Sequence, residues 1–395
     1  MTNSSTMTEA AAWSERLHSL LGIPPTRGNE VRVLRNGDRI FPAMLHAIDA
    51  ASDTIDIVTF VYWAGDIGRR FAERLAAAAR RGCRVRVLLD AVGARKIDTD
   101  LLDIMTSAGC DVRMFRQIAD GAIPEIGEVH HRTHRKIMVC DTAVGFVGGV
   151  GIADEWAGDA RNADEWRDSH VELRGPAVAG LAAAFVDNWA DEVGHGFDAN
   201  DERIVRTDAA PGSSECLVLR GSSTSGATEL ARLMLSLIQT ARRRLRITTA
   251  YFNPDDSMIA ALSGAVERGV EVQILTPGEH ADKRFVQMAG EGQYQRVLDA
   301  GVDLRTYERS MLHAKLITVD GAVASIGSAN FNQRSTEYDE ECNLVVFDPS
   351  VVAVFDRHFD QDLEQSVVLD PQRWADRNVV QRIGEHVTGV FGRWF

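Results

Sequence analysis

HRKIMVCDTAVGFVGG at residues 134–149 and HAKLITVDGAVASIGS at residues 313–328 are two versions of one pattern. The two stretches align without a gap, and the second begins 179 residues after the first. In each stretch, a run of apolar residues typical of a strand is followed by a turn and then by a second apolar strand. The chain therefore contains two copies of one structural unit.

The segment before each copy also repeats, in the order strand, helix, strand. The predicted elements are, in chain order, residues 55–62, 66–80, 84–90, 245–252, 256–267 and 271–277. Both predicted helices are followed by Arg-Gly, and glycine there can take the left-handed conformation that closes a helix. This alternation predicts an α/β fold with a largely parallel core sheet in each half.

Four segments follow from the repeat. The polar stretch from Asp198 to Ser214, which contains Pro211-Gly212, is typical of a linker. The segments are an N-terminal extension at 1–28, a first half at 29–207, a second half at 208–370 and a C-terminal amphipathic helix at 371–395. The apolar stripe of that last helix is typical of packing on the protein's own core, and insertion into a bilayer surface is the alternative.

The composition argues against several classes of protein. A formal net charge of −14 disfavours a large basic interface, so we expect no nucleic-acid partner. No apolar run reaches the length of a membrane span, and residues 1–12 lack the basic start and apolar core of a signal peptide. We therefore expect a cytoplasmic protein. Its five scattered cysteines indicate buried free thiols rather than disulfides or zinc ligands.

Each copy opens with a histidine and a lysine two residues apart, His134 with Lys136 and His313 with Lys315. Alternate side chains of a strand share a face, so each histidine lies beside its lysine. One imidazole can attack a phosphodiester phosphorus and form a phosphohistidine, while the other protonates the departing alkoxide. The lysines offset charge on the non-bridging oxygens, and this scheme needs no metal or other cofactor.

The turn of each hairpin decides which residues face the histidine. If Asp320-Gly321 is a two-residue loop, Val319 pairs with Ala322 and His313 faces Ser328. By the same count, His134 faces Gly149. We therefore expect small residues whose backbone N–H groups cradle phosphate oxygens, namely Gly148, Gly149, Gly327 and Ser328.

Four carboxylates belong to the candidate site in two different ways. Asp141 and Asp320 lie at the hairpin ends, away from the histidines, so we expect them to cap the turns. A catalytic histidine needs an acceptor for its other nitrogen. Asp168 and Glu341 are the candidates, because they follow the two motifs at comparable distances. A surface charge is the alternative for both.

Two further patterns allow more than one interpretation. His130, His131 and His134 form H-H-x-x-H, which resembles a set of metal ligands. On a strand, however, His131 and His134 face opposite sides, so we predict no metal. The aromatic pairs Tyr62-Trp63 and Tyr251-Phe252 end equivalent strands, and they either line an acyl or headgroup pocket or pack in the core.

The doubled H-x-K-x4-D pattern, with Gly-Gly or Gly-Ser downstream, resembles that of the phospholipase D superfamily. GFVGGVGIADEW, WRDSHVELRGPAV and AYFNPDDSMIAAL are further similar to the bacterial cardiolipin synthase branch, especially its members without membrane-spanning segments. The resemblance runs from Asn29 to about Asp370. It implies two α/β sandwich halves related by a pseudo-two-fold axis, with the active site at their seam and His134 as the nucleophile.

The sequence departs from the resembled pattern at one position. The second copy keeps the family asparagine as Asn330, for which the resemblance implies phosphate binding, whereas the first copy has Gly151 at the matching position. One phosphate-binding amide is therefore missing, and we expect the two halves to contribute unequally.

Three functions remain compatible with these patterns. The first is phosphatidyl transfer between phosphatidylglycerol molecules, with peripheral contact at the inner face of the cell membrane. The second is phosphodiester hydrolysis of lipid or, less in keeping with the acidic charge, of nucleic acid, because water can replace the alcohol. The third is a non-catalytic membrane- or protein-binding module, against which the two complete His-Lys pairs argue. The sequence carries no signal for an oligomeric state.

Overall fold

Fifteen strands form one sheet in the part of the chain that the computed structural model describes, residues 3–117, 131–194, 209–221 and 229–376. The strands of the first half are β1 Thr26–Arg35, β2 Thr54–Thr59, β3 Arg84–Asp90, β4 Asp111–Phe115, β5 Lys136–Cys140, β6 Val144–Gly148 and β7 Ser169–Arg174. The helices are α1 Asn3–Leu21, α2 Gly37–Ala50, α3 Asp66–Arg80, α4 Thr99–Thr106 and α5 Val178–Val193, with a short 3-10 helix at Asp154–Trp156.

The second half repeats this order. Its strands are β8 Ser214–Arg220, β9 Arg244–Thr248, β10 Phe252–Asn253, β11 Glu271–Pro277, β12 Asp303–Tyr307, β13 Leu316–Val319, β14 Val323–Gly327, β15 Phe331–Asn332, β16 Cys342–Val346 and β17 Ser366–Val368. The helices are α6 Glu229–Thr240, α7 Asp256–Glu267, α8 Arg284–Asp299, α9 Gln333–Glu337, α10 Pro349–Leu363 and α11 Pro371–Ala375. Strands β10 and β15 form a separate two-stranded parallel ladder.

The order of strands shows the two-fold repeat directly. The first half runs β1-β7-β6-β5-β2-β3-β4, and the second runs β8-β16-β14-β13-β9-β11-β12 before the edge strand β17. The prediction of a largely parallel sheet was only partly right. Strands β2, β3 and β4 are parallel, but the hairpin β5-β6 and the strand β7 run antiparallel, because each motif is itself a hairpin.

Most of the predicted elements have the predicted bounds. The helices at 66–80 and 256–267 and the strands at 84–90 and 271–277 are confirmed. Gly82 and Gly269, which follow the two helices, have φ angles of 102° and 83°, as the closing role of glycine requires. Strand β2 stops at Thr59, however, rather than at residue 62. The Thr59 hydroxyl donates to the carbonyl of Val61, and the chain leaves the ladder there.

The predicted hairpin register was wrong by one residue. The tight turn forms, because the N–H of Ala322 donates to the carbonyl of Val319 at 3.0 Å and Asp320 and Gly321 both have positive φ angles. Val319 nevertheless pairs with Val323, so Ala322 is an extra residue in the ladder. The first hairpin has the same extra residue, since Cys140 pairs with Val144. The residues facing the histidines therefore shift by one position.

The two halves share one hydrophobic core at their seam. Val147 of β6 and Ile326 of β14 belong to a single buried cluster, together with Phe185 of α5 and Phe355 of α10. Strand β1 also joins the halves, because it pairs with β8 near Thr26 and with β7 farther along. The halves are thus packed as one unit, and the histidine end of each hairpin, opposite its turn, lies at the shared interface.

The N-terminal extension packs into the second half. Trp13 and Leu17 of α1 are buried among residues of α6 and α7, and the Ser14 hydroxyl donates to Glu215 at 2.7 Å. At the other end, the structure describes the short helix α11, and residues 377–395 lie outside the described part. The C-terminal amphipathic helix therefore stays a prediction. All five cysteines are free and buried.

Candidate active site

Each histidine lies just before its hairpin, on a segment that crosses to the other half. The backbone N–H of His134 donates to the carbonyl of Glu340 at 2.9 Å, and that of His313 donates to the carbonyl of Arg167 at 2.7 Å. Thr133 and Leu312 form the corresponding parallel bridges. The segment that carries each histidine is therefore paired with the segment that carries a carboxylate in the opposite half.

The two predicted acceptors bind the two histidines crosswise. Nδ1 of His134 lies 2.9 Å from Oε1 of Glu341, and Nδ1 of His313 lies 2.9 Å from Oδ2 of Asp168. All four side chains are buried. With Nδ1–H donating to the carboxylate, Nε2 of each ring keeps the lone pair that can meet a substrate. The surface-charge alternative for Asp168 and Glu341 is wrong.

The two lysines lie beside the histidines, inside the protein. Nζ of Lys136 donates to the carbonyl of His134 at 2.8 Å, and Nζ of Lys315 donates to that of His313 at 2.5 Å. Burial and the charge of Lys315 lower the pKa of Lys136 to about 7. Burial lowers the pKa of Lys315 to about 8. Near neutral pH the two lysines are therefore only partly protonated in the free site, and a bound anion would favour their charged forms.

The histidines are neutral in the free site. Burial and the charge of Lys136 lower the pKa of His134 well below its ordinary value, and burial and Lys315 lower the pKa of His313 to about 4. The two carboxylates differ. Burial raises the pKa of Glu341, with Lys136 offsetting only part of the effect. Burial also acts to raise the pKa of Asp168, but the hydrogen bond from His313 and its neighbours bring that pKa below its ordinary value.

Each carboxylate accepts a further hydrogen bond that the sequence analysis missed. The indole N–H of Trp156 donates to Oδ2 of Asp168 at 2.8 Å, and the hydroxyl of Ser335 donates to Oε1 of Glu341 at 2.6 Å. Trp156 and Ser335 stand 179 residues apart, the same offset as the two motifs. Continuing the gapless alignment beyond the hairpins would have placed these two residues at equivalent positions.

The predicted phosphate cradle is wrong for three of its four backbone groups. The N–H groups of Gly149, Gly327 and Ser328 donate to carbonyls of neighbouring segments, those of Ser169, Lys315 and Cys342. The small size of the glycines has another cause. A Cβ at Gly149 would lie 2.2 Å from Oδ1 of Asp168, and a Cβ at Gly148 would lie 2.5 Å from Nδ1 of His170. These glycines let the strand that carries the carboxylate approach the hairpin closely.

Asp141 and Asp320 lie away from the histidines, and their hydrogen bonds go to the neighbouring strands rather than across their own turns. The Asp141 carboxylate accepts from the N–H groups of residues 52–54, just before and at the start of β2. The Asp320 carboxylate accepts in the same way from the N–H groups of residues 242–244, just before and at the start of β9. Both aspartates therefore fix the hairpin to the parallel part of the sheet.

A pocket of about 410 Å³ opens over the histidines. His134, Lys136 and His313 line it together, which brings the two motifs to one site. Most of the remaining lining residues are aromatic or charged, namely Phe60, Trp63, Trp156, Trp166, Tyr251, Arg95, Lys96, Glu155, Asp282 and Lys283. Of the two aromatic pairs, Trp63 and Tyr251 therefore line the pocket. Tyr62 and Phe252 are buried in the core instead.

The position of Gly151 has no room for an asparagine. A Cβ there would lie 2.7 Å from Cβ of Val61 and 3.1 Å from Cη2 of Trp156. In the other half, Asn330 is buried, its N–H donates to the Ser335 hydroxyl at 3.1 Å, and its Oδ1 has no partner among the described residues. The indole of Trp156 therefore takes the space that the asparagine side chain and the small Ser335 occupy in the second half.

The H-H-x-x-H pattern lies only partly within the described residues, because His130 falls outside them. His131 has a positive φ angle and its Nδ1 lies 3.2 Å from the carbonyl of Tyr338, whereas His134 faces Glu341. In the part of the chain that the structure describes, no three His, Cys, Asp or Glu side chains are arranged to hold a metal ion. Across the same residues, none of the helices combines the length and apolar character needed to cross a bilayer.

Known proteins share both the sequence and the fold. Residues 44–164 and 234–363 match the family described as "Cardiolipin synthase, PLD-like domain". A cardiolipin synthase of Geobacillus kaustophilus is 30% identical over 366 residues, which cover 92% of this chain and 72% of the relative. Cardiolipin synthase 2 of Bacillus anthracis is 31% identical over 356 residues, which cover 90% and 69%.

Among solved structures, phosphatidylserine synthase of Haemophilus influenzae superposes with a TM-score of 0.72 at 14% identity, over 96% of this chain and 97% of that one. At that identity the likeness concerns the fold, which is that of two phospholipase D-like halves. The family match spans more than half of the residues, and both relatives reach 30% identity over more than two thirds of their length. The chain therefore belongs to the cardiolipin synthase family of phospholipase D-like proteins.

Proposed function

We propose that the chain is a phosphatidyltransferase of cardiolipin synthase type, which moves a phosphatidyl group between two phosphatidylglycerol molecules through a phosphohistidine. One observation carries this proposal. Both motifs reach a single pocket, and each imidazole is bonded to a carboxylate of the opposite half, so that two histidines with different partners face one substrate. The relatives named cardiolipin synthase support the same activity.

We assign the nucleophile to His134, as the resemblance to the phospholipase D superfamily implies. Burial keeps its pKa well below the ordinary value, so Nε2 carries a lone pair at neutral pH, and Glu341 fixes the orientation of the ring through Nδ1. Attack of Nε2 on phosphorus forms the N–P bond and breaks the P–O bond to the glycerol leaving group.

His313 carries out the proton transfers. Its partner Asp168 has a lowered pKa and stays ionised, which stabilises an imidazolium form of the ring. The free ring is neutral, so it gains a proton together with the anionic substrate. It gives that proton to the departing glycerol oxygen. It then takes one from the acceptor hydroxyl, whose oxygen attacks phosphorus and releases His134, so the only co-product is glycerol.

Lys136 and Lys315 stabilise the charge of the reacting phosphodiester. Each lies beside the backbone carbonyl of its own histidine and is buried, so its charge is poorly screened by water. Ammonium groups fixed beside the non-bridging oxygens favour the transition state, in which these oxygens gain charge. The two lysines supply this stabilisation without a metal ion.

The size of the pocket suggests how the lipid is held. A cavity of about 410 Å³ takes a ligand of headgroup size, so the acyl chains stay outside it. We therefore propose that the chain contacts the inner face of the cell membrane peripherally while the headgroup enters the pocket. Sedimentation of the protein with phosphatidylglycerol vesicles, compared with neutral phosphatidylcholine vesicles, tests this contact.

The products distinguish the proposed activity from its alternative. Purified chain incubated with phosphatidylglycerol vesicles should yield cardiolipin and glycerol in equal amounts, measured by lipid mass spectrometry and a glycerol assay. Phosphatidic acid without cardiolipin would make the chain a hydrolase on the same scaffold, because water would then be the acceptor. Absence of both products would count against any phosphodiester chemistry at this pocket.

A further inference from the structure

The chain contains only four lysines among its 43 lysines and arginines: Lys96, Lys136, Lys283 and Lys315. Two of them are the lysines of the motifs. The other two line the same pocket, in which His134 and His313 also lie. A chain that uses arginine at every other basic position has thus kept all of its lysines at one site, which calls for a function of Lys96 and Lys283 as well.

Lys96 and Lys283 occupy equivalent positions in the two halves. Strand β3 ends at Asp90 and β11 ends at Pro277, and each lysine follows six residues later in the chain. Each also lies over an aromatic ring of the pocket wall. Nζ of Lys96 is 3.8 Å from the ring centroid of Trp63, and Nζ of Lys283 is 5.8 Å from that of Tyr251. The pocket is therefore flanked by one exposed ammonium group from each half.

The charges around this pair leave both ammonium groups open to an anion. Asp282 lies next to Lys283 in the chain, but its carboxylate accepts the hydroxyl of Tyr251 at 2.8 Å. Glu155 also lines the pocket. Among the residues that the structure describes, no carboxylate forms an ion pair with either lysine. An exposed ammonium group beside an aromatic face still has N–H donors that can turn toward a phosphate oxygen.

We propose that Lys96 and Lys283 form a second anion subsite, which binds the phosphodiester of the acceptor lipid while the donor phosphodiester lies at the histidines. The proposal rests on the proposed function and specifies its acceptor. In phosphatidylglycerol the reacting hydroxyl lies at the far end of a three-carbon glycerol unit from the phosphate. When that hydroxyl reaches the donor phosphorus, the acceptor's own phosphate stays nearer the pocket rim, where the two lysines are.

The lysine side chain suits this task better than arginine. Its ammonium is a compact charge on a flexible stem, so it follows a phosphate that must arrive and leave in each turnover. An arginine would bind the phosphate through a planar fork and would stack on the aromatic ring, which holds the ligand more rigidly. The subsite thus attracts an anionic acceptor without competing with the deeper lysines for the reacting phosphate.

Competition between two acceptors tests the subsite. Phosphatidylglycerol vesicles with added ethanol give cardiolipin from the anionic acceptor and phosphatidylethanol from the neutral one, through the same phosphohistidine. Lys96→Gln/Lys283→Gln should lower the ratio of cardiolipin to phosphatidylethanol at least tenfold, and Lys96→Arg/Lys283→Arg should restore much of it. The matched control is Arg80→Gln/Arg232→Gln, which removes two exposed charges from helices outside the pocket. An unchanged ratio in the lysine variant, or an equal fall in the control, would overturn the proposal.

A binding measurement separates this proposal from the proposed function. In the His134→Ala background, which cannot form the phosphohistidine, titration with short-chain dihexanoyl-phosphatidylglycerol should reveal two molecules bound per chain by calorimetry. Adding Lys96→Gln/Lys283→Gln should reduce that number to one. This result would support the subsite even if the wild-type chain made no cardiolipin. Two molecules bound with unchanged affinity in the lysine variant would rule the subsite out, whatever the products.

Discussion

Oδ2 of Asp168, in the first half, lies 2.9 Å from Nδ1 of His313, in the second half. The reciprocal contact joins Glu341 of the second half to His134 of the first at the same distance. Neither half therefore contains a complete histidine-carboxylate pair. The proposed chemistry therefore depends on the seam between the halves, where the backbone bridges and the shared core also lie.

The crossed pairs predict that each carboxylate acts on the histidine of the other half. Asp168→Asn and Glu341→Gln keep the size of the side chain but remove the acceptor that sets the ring tautomer. We expect kcat for cardiolipin formation to fall by about 10²- to 10⁴-fold in each variant. NMR of the histidine rings should show that Asp168→Asn perturbs His313 and not His134. If instead Asp168→Asn perturbed only His134, the crossed arrangement would be wrong.

The leaving group distinguishes the roles of the two histidines. A phosphatidyl ester of p-nitrophenol needs no proton on its leaving oxygen, so the general acid becomes dispensable in the first step. We expect His313→Ala to release one equivalent of nitrophenol in a rapid burst and then stall. His134→Ala should give no burst, because no N–P bond can form. The reverse pattern would assign the nucleophile to His313.

The buried lysines predict loss of activity at alkaline pH. Burial lowers the pKa of Lys136 to about 7 and that of Lys315 to about 8, so both charges are present below these values and are lost as the pH rises through them. Because kcat/KM reports ionisations of the free enzyme, we expect it to fall above about pH 7 to 8. Lys136→Arg should move the start of this alkaline limb upward, since Lys136 has the lower of the two pKa values and arginine stays charged. A profile that is flat up to pH 10 would contradict the lowered pKa values.

Close approach at Gly149 predicts a steric effect on Asp168. A Cβ at this position would meet the Asp168 carboxylate at 2.2 Å, so Gly149→Ala must displace the acceptor of His313. We expect a loss of kcat in the range of Asp168→Asn, with a loss of stability of about 1–3 kcal/mol from overpacking. The control is Gly264→Ala in α7, where the nearest atom to a Cβ lies 3.5 Å away. Chemical denaturation and steady-state kinetics on both variants test this, and a fully active Gly149→Ala would show that Asp168 tolerates the displacement.

The sequence predicted the repeat and most of the helices and strands, because apolar periodicity and closing glycines are local signals. Residues 66–80 and 271–277 are examples. It could not predict the exchange of partners between halves. Asp168 and Glu341 follow their own motifs in the chain, and only the packing of the two hairpins decides that each reaches the other's histidine.

The hairpin register shows a second limit. The turn chemistry of Asp320-Gly321 was predicted, but the extra residue Ala322 depends on how β13 and β14 fit against β9 and β16. The sequence analysis attributed the glycines of the motifs to backbone freedom and phosphate binding. In the structure, glycine is required at these positions because a side chain would not fit. At Gly149 and Gly151 the neighbours that fill that space, Asp168, Val61 and Trp156, are distant in the chain or follow only after a turn.

We expect Trp156 to be a positioning residue for the proposed acid-base pair, because it contacts both Asp168 and His313. Its indole N–H donates to Asp168 at 2.8 Å, and its ring stands edge-on to His313 at a centroid distance of 5.1 Å. The equivalent Ser335 donates to Glu341, but it also accepts the N–H of Asn330, which an indole N–H cannot do. At the two positions where the second half has an asparagine and a serine, the first half therefore has Gly151 and Trp156.

Trp156→Phe removes the N–H donor together with the outer part of the indole, including the Cη2 atom that lies beside Gly151. We expect kcat to fall about tenfold or more, because Asp168 loses one of the bonds that orient it, while KM for phosphatidylglycerol changes little. In the native chain, the hydrogen bond from Trp156 helps to lower the pKa of Asp168. The variant's carboxyl should therefore protonate at a higher pH, and the acid limb of the kcat/KM profile should move upward.

Trp166→Phe is the matched control for this change. Trp166 lines the same pocket and its ring centroid lies 4.4 Å from that of Trp156, with the rings tilted by 60°, but among the described residues it donates no hydrogen bond to Asp168. We expect near-native kcat and an unmoved acid limb for this variant. An equal loss in both variants would mean that the aromatic wall matters only as a whole. A rise in KM alone for Trp156→Phe would make Trp156 a binding residue and not a positioning one.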